Sequence, residues 1–433
     1  MGLFGSKSKK VSAAKKLEGS VQFPGDKSIS HRYAMLGAIA EGPTEIHFFS
    51  SSADCQSTLN CLKSLGVRIE RKENNVVNIA GAGLGGLRAP SQQLDAGNSG
   101  STMRMLAGVL AGQPFRSVMG GDASLARRPM KRVADPLTLM GARIKTSEGG
   151  RPPLEIEGGN LTPIRYEMPV ASAQVKSAIL LAGLFAEGET QVVEKLPTRD
   201  HTEIALEQMG ADIGRHQHTI AVRGRARLEG KKFYVPGDIS SAAFFIAAGL
   251  IVPKSNLVLH NVGLNPTRSA LLDALVAMGG RVKVVNMEML NGELLGDLHV
   301  ESSRLAGGEI PETLVPGLID ELPVLSVLGT QTEQGLSFRG AAELRVKESD
   351  RLAAVAENLR RMGAEVEEFP DGLGVSGRQK LRGAEIDPHD DHRIAMAFAI
   401  AALVAEGATL IKNSSCVDIS FPGFFDTLAR VAG

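Results

Sequence analysis

The sequence predicts an α/β fold of two domains, each an inside-out α/β barrel with buried helices and outer sheets. Two observations carry this prediction: one helix-to-strand pattern recurs along the whole chain, and several helices are apolar on nearly every face. Six repeated units of βαβαββ type, three per domain, account for both patterns.

The recurring pattern is a glycine that ends a helix and precedes an alternating, strand-like segment. A Leu stands four residues before the glycine in five copies, which centre on Gly66, Gly141, Gly210, Gly279 and Gly363. Glycine adopts positive φ at little cost, so it is the usual residue just beyond a helix. Residues 428–433 begin in the same way, and we expect them to be a sixth copy that is cut short.

The second pattern is a short polar turn followed by a helix rich in Ala, Gly and large apolar residues. Such helices include residues 178–186, 242–250 and 394–403. A helix that is apolar on every face must be surrounded by protein, whereas a layered fold with surface helices would show polar stripes. If the buried helices begin at one cleft, their amino termini can bind several anionic groups there.

The expected domain organisation is discontinuous. Residues 1–17 are basic and lack an apolar core, so we expect a mobile tail. Residues 18–25 together with 238–433 are expected to form domain one, and residues 26–237 domain two. We expect the active site in the interdomain cleft.

Composition narrows the class of protein. The chain has 433 residues, with 48 Lys and Arg against 48 Asp and Glu. A zero net charge argues against a nucleic-acid-binding protein, which needs a basic face. The three cysteines show neither metal-ligand nor disulfide spacing, which indicates a reducing cytoplasm. No apolar run approaches the roughly 20 residues of a membrane span. We expect a cytoplasmic protein without a metal site, a nucleic-acid partner or a membrane partner.

The first candidate site is PGDKSISHR at residues 24–32. Apolar residues then recur at helical spacing, which predicts a helix that begins between Asp26 and Ser28. Lys27, Ser28 and Arg32 lie in its first turns, where backbone N–H groups and the helix dipole favour an anion. The alternative is a capped surface helix with two solvated cations.

Further candidates stand at later helix starts in the first half of the chain. GNSGSTMR repeats the polar opening, and its Gly100 allows a ligand to approach the backbone closely. One arginine of the loop 127–132 is expected to bind a carboxylate or phosphate, although such a run is also typical of a solvated face. Ser172 and Gln174 can donate to a phosphate or a polyol, and Arg199 can add a guanidinium.

The second half of the chain supplies candidates for proton transfer. Asp320 stands at an expected helix start in an apolar frame and is a candidate base, with an ordinary helix cap as the alternative. In LRVKESDRL, Lys347 and Arg351 are four residues apart and could hold one anion, with Glu348 as an acid or base. A solvated charged helix is the alternative there. Arg393 heads an apolar helix, where a cation opposes the dipole, so we expect a bound anion.

Together these motifs resemble those of the 5-enolpyruvylshikimate-3-phosphate (EPSP) synthase family. The resemblance extends from about residue 18 to the end and rests on PGDKSISHR, GNSGSTMR, RPM, ASAQVKS, RVKESDR and DHRIAM. It implies transfer of the enolpyruvyl group of phosphoenolpyruvate to the 5-hydroxyl of shikimate 3-phosphate, with release of phosphate. It also implies two inside-out domains that close over these small-molecule substrates, no metal and no organic cofactor. We expect a monomer.

The resemblance further implies roles for individual residues. Those expected at shikimate 3-phosphate are Lys27, Ser28, Arg32, Ser172, Ala173, Gln174, Arg199, Asp320 and Lys347. Those expected at phosphoenolpyruvate are Lys27, Gly100, Arg128, Gln174, Arg351 and Arg393. The expected catalytic residues are Lys27, Asp320 and Glu348. Asp320 would accept the proton of the attacking hydroxyl, and Glu348 would protonate the enol methylene.

One position departs from the family pattern. Many members have a Lys shortly before the final Phe-Pro, where this chain has Asp418 and Ile419, so we assign that contact to no residue. Gly100 is typical of members that glyphosate inhibits, and the chain is therefore expected to be a glyphosate target.

Two alternatives stay open. One is the related enolpyruvyl transferase that acts on UDP-N-acetylglucosamine; it commonly carries a Cys in the loop before the Arg-Pro pair, and this chain has none there. The other is a non-catalytic repeat scaffold that binds a partner protein, which would leave the cations at the helix starts without a purpose.

Overall fold

Six small sheets and a set of helices account for most of the chain. The structure is a computed structural model that describes residues 8–433. Within these residues the chain forms 23 strands and 13 α-helices.

The strands are β1 (Lys9–Ser12), β2 (Glu18–Gln22), β3 (Glu41–His47), β4 (Arg68–Lys72), β5 (Val76–Ala82), β6 (Leu94–Asp95), β7 (Arg116–Gly120), β8 (Arg143–Ser147), β9 (Arg151–Glu157), β10 (Arg165–Glu167), β11 (Glu189–Val193), β12 (Ile213–His216), β13 (Thr219–Arg223), β14 (Lys232–Tyr234), β15 (Asn256–Gly263), β16 (Arg281–Leu290), β17 (Glu293–Glu301), β18 (Gly308–Ile310), β19 (Leu336–Phe338), β20 (Val366–Phe369), β21 (Gly372–Val375), β22 (Glu385–Ile386) and β23 (Ala408–Ile411).

The α-helices are α1 (Lys27–Ile39), α2 (Ala53–Ser64), α3 (Gly100–Ala111), α4 (Lys131–Leu139), α5 (Ala173–Gly183), α6 (His201–Gln208), α7 (Ile239–Ile251), α8 (Ala270–Ala277), α9 (Val315–Leu318), α10 (Leu322–Gly329), α11 (Arg351–Arg361), α12 (His392–Ala402) and α13 (Phe424–Ala432). Short 3₁₀ helices lie at Glu73–Asn75, Leu125–Arg127, Ala342–Val346 and Ser414–Ile419.

Each sheet corresponds to one repeated unit. The strand orders are β14-β3-β5-β4, β6-β7-β9-β8, β10-β11-β13-β12, β16-β17-β15-β2, β18-β19-β21-β20 and β1-β23-β22. In the second sheet, for example, β6 pairs parallel with β7, and β9 lies antiparallel to both β7 and β8. The predicted α/β fold with six repeated units is therefore confirmed.

The glycines of the recurring pattern end helices as predicted. All five have positive φ, with Gly363 at 84° and Gly141 at 110° as the extremes. A side chain at such a backbone conformation would be strained, which is why glycine marks the change from helix to strand. Gly433 also has a positive φ, directly after α13.

The chain forms two compact units. Unit 2 contains Gly25–Pro236 and Met289–Glu293; unit 1 contains the described residues up to Pro24, Gly237–Glu288 and Leu294–Gly433. The short piece Met289–Glu293, at the turn between β16 and β17, was not predicted to belong with the first half of the chain.

In each unit three helices are buried along nearly their whole length. They are α1, α3 and α5 in unit 2 and α7, α10 and α12 in unit 1. Small residues let these helices approach closely: a Cβ added to Gly108 of α3 would lie 2.1 Å from the backbone oxygen of Ala178 in α5. The helices are inside and the sheets surround them within each unit, as their apolar composition predicted.

At each of two points where the chain passes from one compact unit to the other, the last strand before the crossing pairs within the unit that the chain is leaving. β2 precedes α1 in the chain but pairs in parallel with β15 in unit 1. β14 precedes α7 but pairs in parallel with β3 in unit 2. The chain passes between the units at the similar sequences FPGD and VPGD, beside Pro24 and Pro236.

The amino-terminal segment differs from the predicted tail. Residues 1–7 lie outside the described residues, but β1 pairs antiparallel with β23 over four residues. Leu17 is fully buried, and its N–H donates to Ser255 Oγ at 2.9 Å. The physical reason is that β1 completes the sheet β1-β23-β22, in which its backbone groups are paired.

Residues 8–433 contain no helix that combines the length and the apolar composition needed to cross a membrane.

Candidate active site

The start of α1 is the first cluster of predicted site residues in unit 2. Asp26 caps the helix, since its Oδ1 accepts from the Ile29 N–H at 2.9 Å. Lys27 Nζ donates to Asp54 Oδ2 at 2.8 Å, and both side chains are largely buried. A cation at the positive end of a helix is unfavourable, and Asp54 of α2 offsets that charge.

Arg32 is buried one turn further along α1 and links three helices. Its Nε donates to Thr202 Oγ1 at 2.7 Å, Nη2 to Ser177 Oγ at 2.8 Å, and Nη1 to the Ser28 backbone oxygen at 2.8 Å. Burial and the nearby Arg199 lower the pKa of Arg32 to about 10. The donors of Arg32 that were predicted to bind a ligand therefore hydrogen-bond to residues of α1, α5 and α6 in this structure.

The start of α3 brings two further guanidinium groups to Gly100. Ser99 caps this helix, with its Oγ accepting from the Thr102 N–H at 3.0 Å. A Cβ added to Gly100 would lie 2.9 Å from Arg104 Nη1 and 3.3 Å from Arg128 Nη1. The absence of a side chain at Gly100 thus leaves room directly beside two cations.

Arg128 is the buried member of the predicted cationic loop. Its Nη2 donates to Asn98 Oδ1 at 2.7 Å and to Ser124 Oγ at 3.3 Å. Arg127 and Lys131, by contrast, are exposed or partly exposed. Arg128, which the family resemblance implied at phosphoenolpyruvate, is thus a buried member of this run of cations.

The start of α5 is joined to α3 through Gln174. Gln174 Oε1 accepts from Arg104 Nη1 at 2.7 Å, and Gln174 Nε2 donates to Ser101 Oγ at 2.8 Å. Ser172 caps α5 through the Val175 N–H at 3.4 Å. Arg104 was not among the predicted site residues; its signal in the sequence was a lone cation inside an otherwise apolar helix.

A buried ion network holds the loop that carries Arg199. Lys176 Nζ contacts Glu203 Oε1 at 2.6 Å and Glu194 Oε2 at 3.0 Å, and it donates to the Thr198 backbone oxygen at 3.3 Å. Burial raises the pKa of Glu203. Arg199 Nη1 in turn donates to Ser28 Oγ at 3.2 Å. Within unit 2, Arg32 and Arg199 both donate to Ser28, which follows Lys27 in the chain. Gly100 and Gln174 both lie beside Arg104, which donates to Gln174.

In unit 1 the candidate base lies between two helices. Asp320 follows α9 and precedes α10, whose cap position is Glu321. The prediction that Asp320 stands at the helix start was therefore wrong by two residues, because the turn after the short α9 delays α10. Asp320 Oδ1 lies 3.5 Å from Arg351 Nη1, and its side chain is 16% exposed.

Arg351 is the centre of the unit 1 cluster. It is fully buried, and its Nε and Nη2 donate to the two oxygens of Asp391 at 2.8 and 3.3 Å. Nη2 also donates to Glu348 Oε2 at 2.6 Å. Burial opposes the charge of Arg351, but the carboxylates of Asp391 and Glu348 hold its pKa above the ordinary value. This guanidinium therefore stays charged.

Lys347 and Arg351 do not lie on one helix, although their spacing of four residues is typical of one. A 3₁₀ helix covers Ala342–Val346, Lys347 itself has ψ of −150°, and α11 begins only at Arg351. The two cations are thus not four residues apart on one helix. Burial lowers the pKa of Lys347, whose side chain keeps part of its surface exposed.

Arg393 lies in the first turn of α12, as predicted, behind the cap residue Asp391. Its Nη1 donates to the Asp320 backbone oxygen at 2.8 Å, and its Nε lies 3.8 Å from Asp320 Oδ1. The carboxylate of Asp320 thus lies beside Arg393 at this helix start.

Both units thus concentrate cations at the starts of buried helices, in a chain without net charge. Such preorganised guanidinium and ammonium groups bind carboxylates and phosphates and stabilise charge that develops on oxygen. Unit 1 adds the carboxylates of Asp320 and Glu348, which can exchange protons. Nowhere in residues 8–433 do three or more His, Cys, Asp or Glu side chains gather in a group that could hold a metal ion.

The family model for EPSP synthase (3-phosphoshikimate 1-carboxyvinyltransferase) matches residues 11–428. The chain belongs to the EPSP synthase family. The resemblance that the sequence motifs indicated is therefore confirmed.

Named relatives agree with this EPSP synthase assignment over nearly the full length. A 3-phosphoshikimate 1-carboxyvinyltransferase of Solibacter usitatus is 55% identical, covering 98% of this chain and 99% of that protein. The Koribacter versatilis protein of the same name is 54% identical with the same coverage. A solved EPSP synthase from Acinetobacter baumannii has a TM-score of 0.87 and 44% identity, covering 99% of this chain and 98% of that one.

The fold is also similar to a more distant enolpyruvyl transferase. NikO from Streptomyces tendae gives a TM-score of 0.76 at 16% identity and covers 98% of this chain and 97% of its own. At that identity the likeness shows the fold alone. The alternatives of a UDP-N-acetylglucosamine enzyme and of a non-catalytic scaffold are not favoured, because the family match is to EPSP synthase along the whole chain.

Proposed function

We propose that this chain transfers the enolpyruvyl group of phosphoenolpyruvate to the 5-hydroxyl of shikimate 3-phosphate, with release of phosphate. Membership of the EPSP synthase family supports the reaction, and the cations gathered at Gly100 and around Arg351 support its anionic substrates. As proposed, the reaction needs no metal or organic cofactor.

The proposed shikimate 3-phosphate contacts belong to both clusters. They are Lys27, Ser28, Arg32, Ser172, Ala173, Gln174, Arg199, Asp320 and Lys347. The bond from Arg199 to Ser28 supports a shared role in holding the phosphate, because charged donors bind phosphate oxygens strongly. Arg32 keeps these groups in register, since it links the starts of α1, α5 and α6.

The proposed phosphoenolpyruvate contacts are Lys27, Gly100, Arg128, Gln174, Arg351 and Arg393. The space beside Gly100, next to Arg128 Nη1, suits a phosphate or carboxylate group. Arg104 orients Gln174 for the same ligand through their 2.7 Å hydrogen bond.

The proposed chemistry is an addition followed by an elimination. Asp320 accepts the proton of the 5-hydroxyl as its oxygen attacks C2 of phosphoenolpyruvate, and Glu348 delivers a proton to the methylene carbon. The tetrahedral intermediate then loses phosphate, with a proton removed from its methyl group to restore the double bond. Lys27 and the arginines offset the charge on the leaving phosphate.

We further propose that the protein acts as a monomer in the cytoplasm. The zero net charge and the three unpaired cysteines support this setting. Size-exclusion chromatography with light scattering tests the oligomeric state directly.

A phosphate-release assay with both substrates tests the proposed function. We expect release only when shikimate 3-phosphate and phosphoenolpyruvate are both present. Release with UDP-N-acetylglucosamine in place of shikimate 3-phosphate would support the alternative enzyme instead. No release with either acceptor would overturn the proposal.

Replacing the proposed base tests the mechanism. Asp320→Asn should lower kcat by roughly 10²–10⁴-fold, the usual contribution of a general base, while calorimetry should still detect shikimate 3-phosphate binding. Asp426→Asn, at an acid of unit 1 whose side chain is 85% exposed, is the control and should leave kcat unchanged. Equal activity of the two variants would contradict the role of Asp320.

A further inference from the structure

Arg268 is a buried arginine of unit 1 that no sequence motif singled out. It lies in the turn between β15 and α8, where Asn265 Oδ1 accepts from the Thr267 N–H at 2.8 Å and the Arg268 N–H donates to the Asn265 oxygen at 2.8 Å. This turn directs the arginine inwards, and only 5% of its surface is exposed. The position of Arg268 is thus set by the backbone.

The guanidinium of Arg268 is shared between two acidic neighbours. Its Nη2 donates to Ser240 Oγ and lies 3.5 Å from Glu321 Oε1, while its Nη1 lies 3.9 Å from Asp320 Oδ2. Ser240 Oγ also donates to Glu321 Oε1. Nε and Nη1 of Arg268 are buried and make no hydrogen bond to any described residue. The side of Arg268 nearest Asp320 is therefore not held by a hydrogen bond.

We propose that Arg268 is a positioning residue for Asp320, which it holds in place and in the ionised form that accepts a proton. The inference rests on the proposed function, in which Asp320 is the base. Arg268 itself touches no substrate in this scheme.

Three guanidinium groups from different elements face the Asp320 carboxylate. Arg351 at the start of α11 and Arg393 in α12 lie 3.5 and 3.8 Å from its Oδ1, and Arg268 lies 3.9 Å from its Oδ2. The remaining charged groups of this cluster are Lys347, Glu343, Glu348, Asp391 and Glu321. Asp320 is thus surrounded by similar numbers of cations and carboxylates.

Arg268 differs from the other two cations in what else it must do. Arg351 also binds Asp391 and Glu348, and both Arg351 and Arg393 are proposed to bind phosphoenolpyruvate. Their charge is therefore shared with the substrate when it arrives. Arg268 is the guanidinium of this set without a proposed substrate contact, so its effect on Asp320 stays constant through the reaction.

The expected consequence is a change in the pH profile. An opposite charge within about 4–6 Å lowers the pKa of an Asp by one to three units. Removing one of three such charges should move the acid limb of kcat/KM upward by about one pH unit. Loss of orientation should also lower kcat about tenfold at neutral pH, while both KM values stay within about threefold.

The test compares five variants of the full chain by phosphate release across pH, with thermal melting as a check on folding. Arg268→Gln removes the charge. Arg268→Met with Glu321→Gln removes it together with its buried partner, so that no unpaired carboxylate is left to unfold the protein. Glu321→Gln alone keeps Arg268, and Arg378→Gln at an exposed arginine of unit 1 is the matched control.

We expect the acid limb to move upward in Arg268→Gln and, by less, in the double variant, where loss of the Glu321 charge offsets part of the effect; it should not move upward in Glu321→Gln or in Arg378→Gln. Arg268→Lys should restore most of the shift because it restores the charge. If Arg268→Gln is folded and active with the profile of the unaltered protein, or if the double variant is folded and active with the profile of Glu321→Gln, the positioning role is overturned while the proposed function stands. If the unaltered protein releases no phosphate from the two substrates, the proposed function fails and this role fails with it.

Discussion

Substituting Gly100 by Ala should separate the two substrates kinetically. The new Cβ would lie 2.9 Å from Arg104 Nη1, closer than side chains normally approach, and 3.3 Å from Arg128 Nη1. Arg104 cannot move freely, because Nη1 donates to Gln174 at 2.7 Å and Nη2 to the Pro129 oxygen at 3.3 Å. The substitution therefore displaces both guanidinium groups and fills the space proposed for phosphoenolpyruvate.

The size of the effect follows from the bonds that are disturbed. A hydrogen bond to a charged group contributes about 1.5–3 kcal/mol, and a misaligned bond keeps part of it. A loss of about 1.4 kcal/mol corresponds to a factor of ten. We expect KM for phosphoenolpyruvate to rise about tenfold and KM for shikimate 3-phosphate by less than threefold.

Initial rates of phosphate release, with each substrate varied in turn, measure both constants. Gly159→Ala in the same unit is the matched control, since nothing lies within 4 Å of the Cβ it would add. A phosphoenolpyruvate KM within twofold of the unaltered protein, or an equal rise in both KM values, would refute the placement of this ligand beside Gly100.

Two further predictions each concern one lysine. Lys176→Met leaves Glu194 and Glu203 without their cation, and breaking such a buried pair costs about 3–5 kcal/mol. We expect Tm to fall by roughly 6–20 °C for a unit of this size, as measured by circular dichroism, with Lys145→Met at an exposed pair as the control. Because burial raises the pKa of Glu203, the native state binds a proton at this carboxyl more readily than the unfolded chain does. The stability that Glu203 contributes through this proton is therefore present at low pH and is lost as pH rises. The deficit should therefore be smaller at about pH 5 than at about pH 8, and equal deficits would contradict the reasoning. Burial lowers the pKa of Lys347, so its positive charge is lost earlier in the alkaline range than that of an exposed lysine. The affinity for shikimate 3-phosphate, measured by calorimetry, should decline in that range. Lys347→Arg should move the decline to higher pH.

The repeat and the buried helices could be predicted because their signals are local. A glycine with positive φ, such as Gly141, must end a helix whatever surrounds it, and a helix without a polar stripe must be enclosed. The helix start at Lys27 was equally visible, since Asp26 caps it within the same turn.

Other features depend on partners that lie far away in the chain. Nothing near Arg32 indicates that Ser177 and Thr202 would take its hydrogen bonds. The charged residues before Arg351 have the composition of a helix, yet the 3₁₀ helix ends at Val346 and the backbone of Lys347 is extended. Arg268 shows no periodicity at all, because a turn and not a helix face directs it inwards. Tertiary contacts decided each of these positions.

The pairing of β1 with β23 has a consequence for biosynthesis. During translation β1 must wait for a partner encoded about 400 residues later, which at ordinary rates of about 5–20 residues per second takes roughly 20–80 s. Gly25–Pro236, by contrast, emerges as one continuous stretch and can collapse while the remainder is still being made. The nascent polypeptide therefore carries β1 as an unpaired edge until residues 408–411 are made, and a premature stop before Ala408 would leave that edge open permanently.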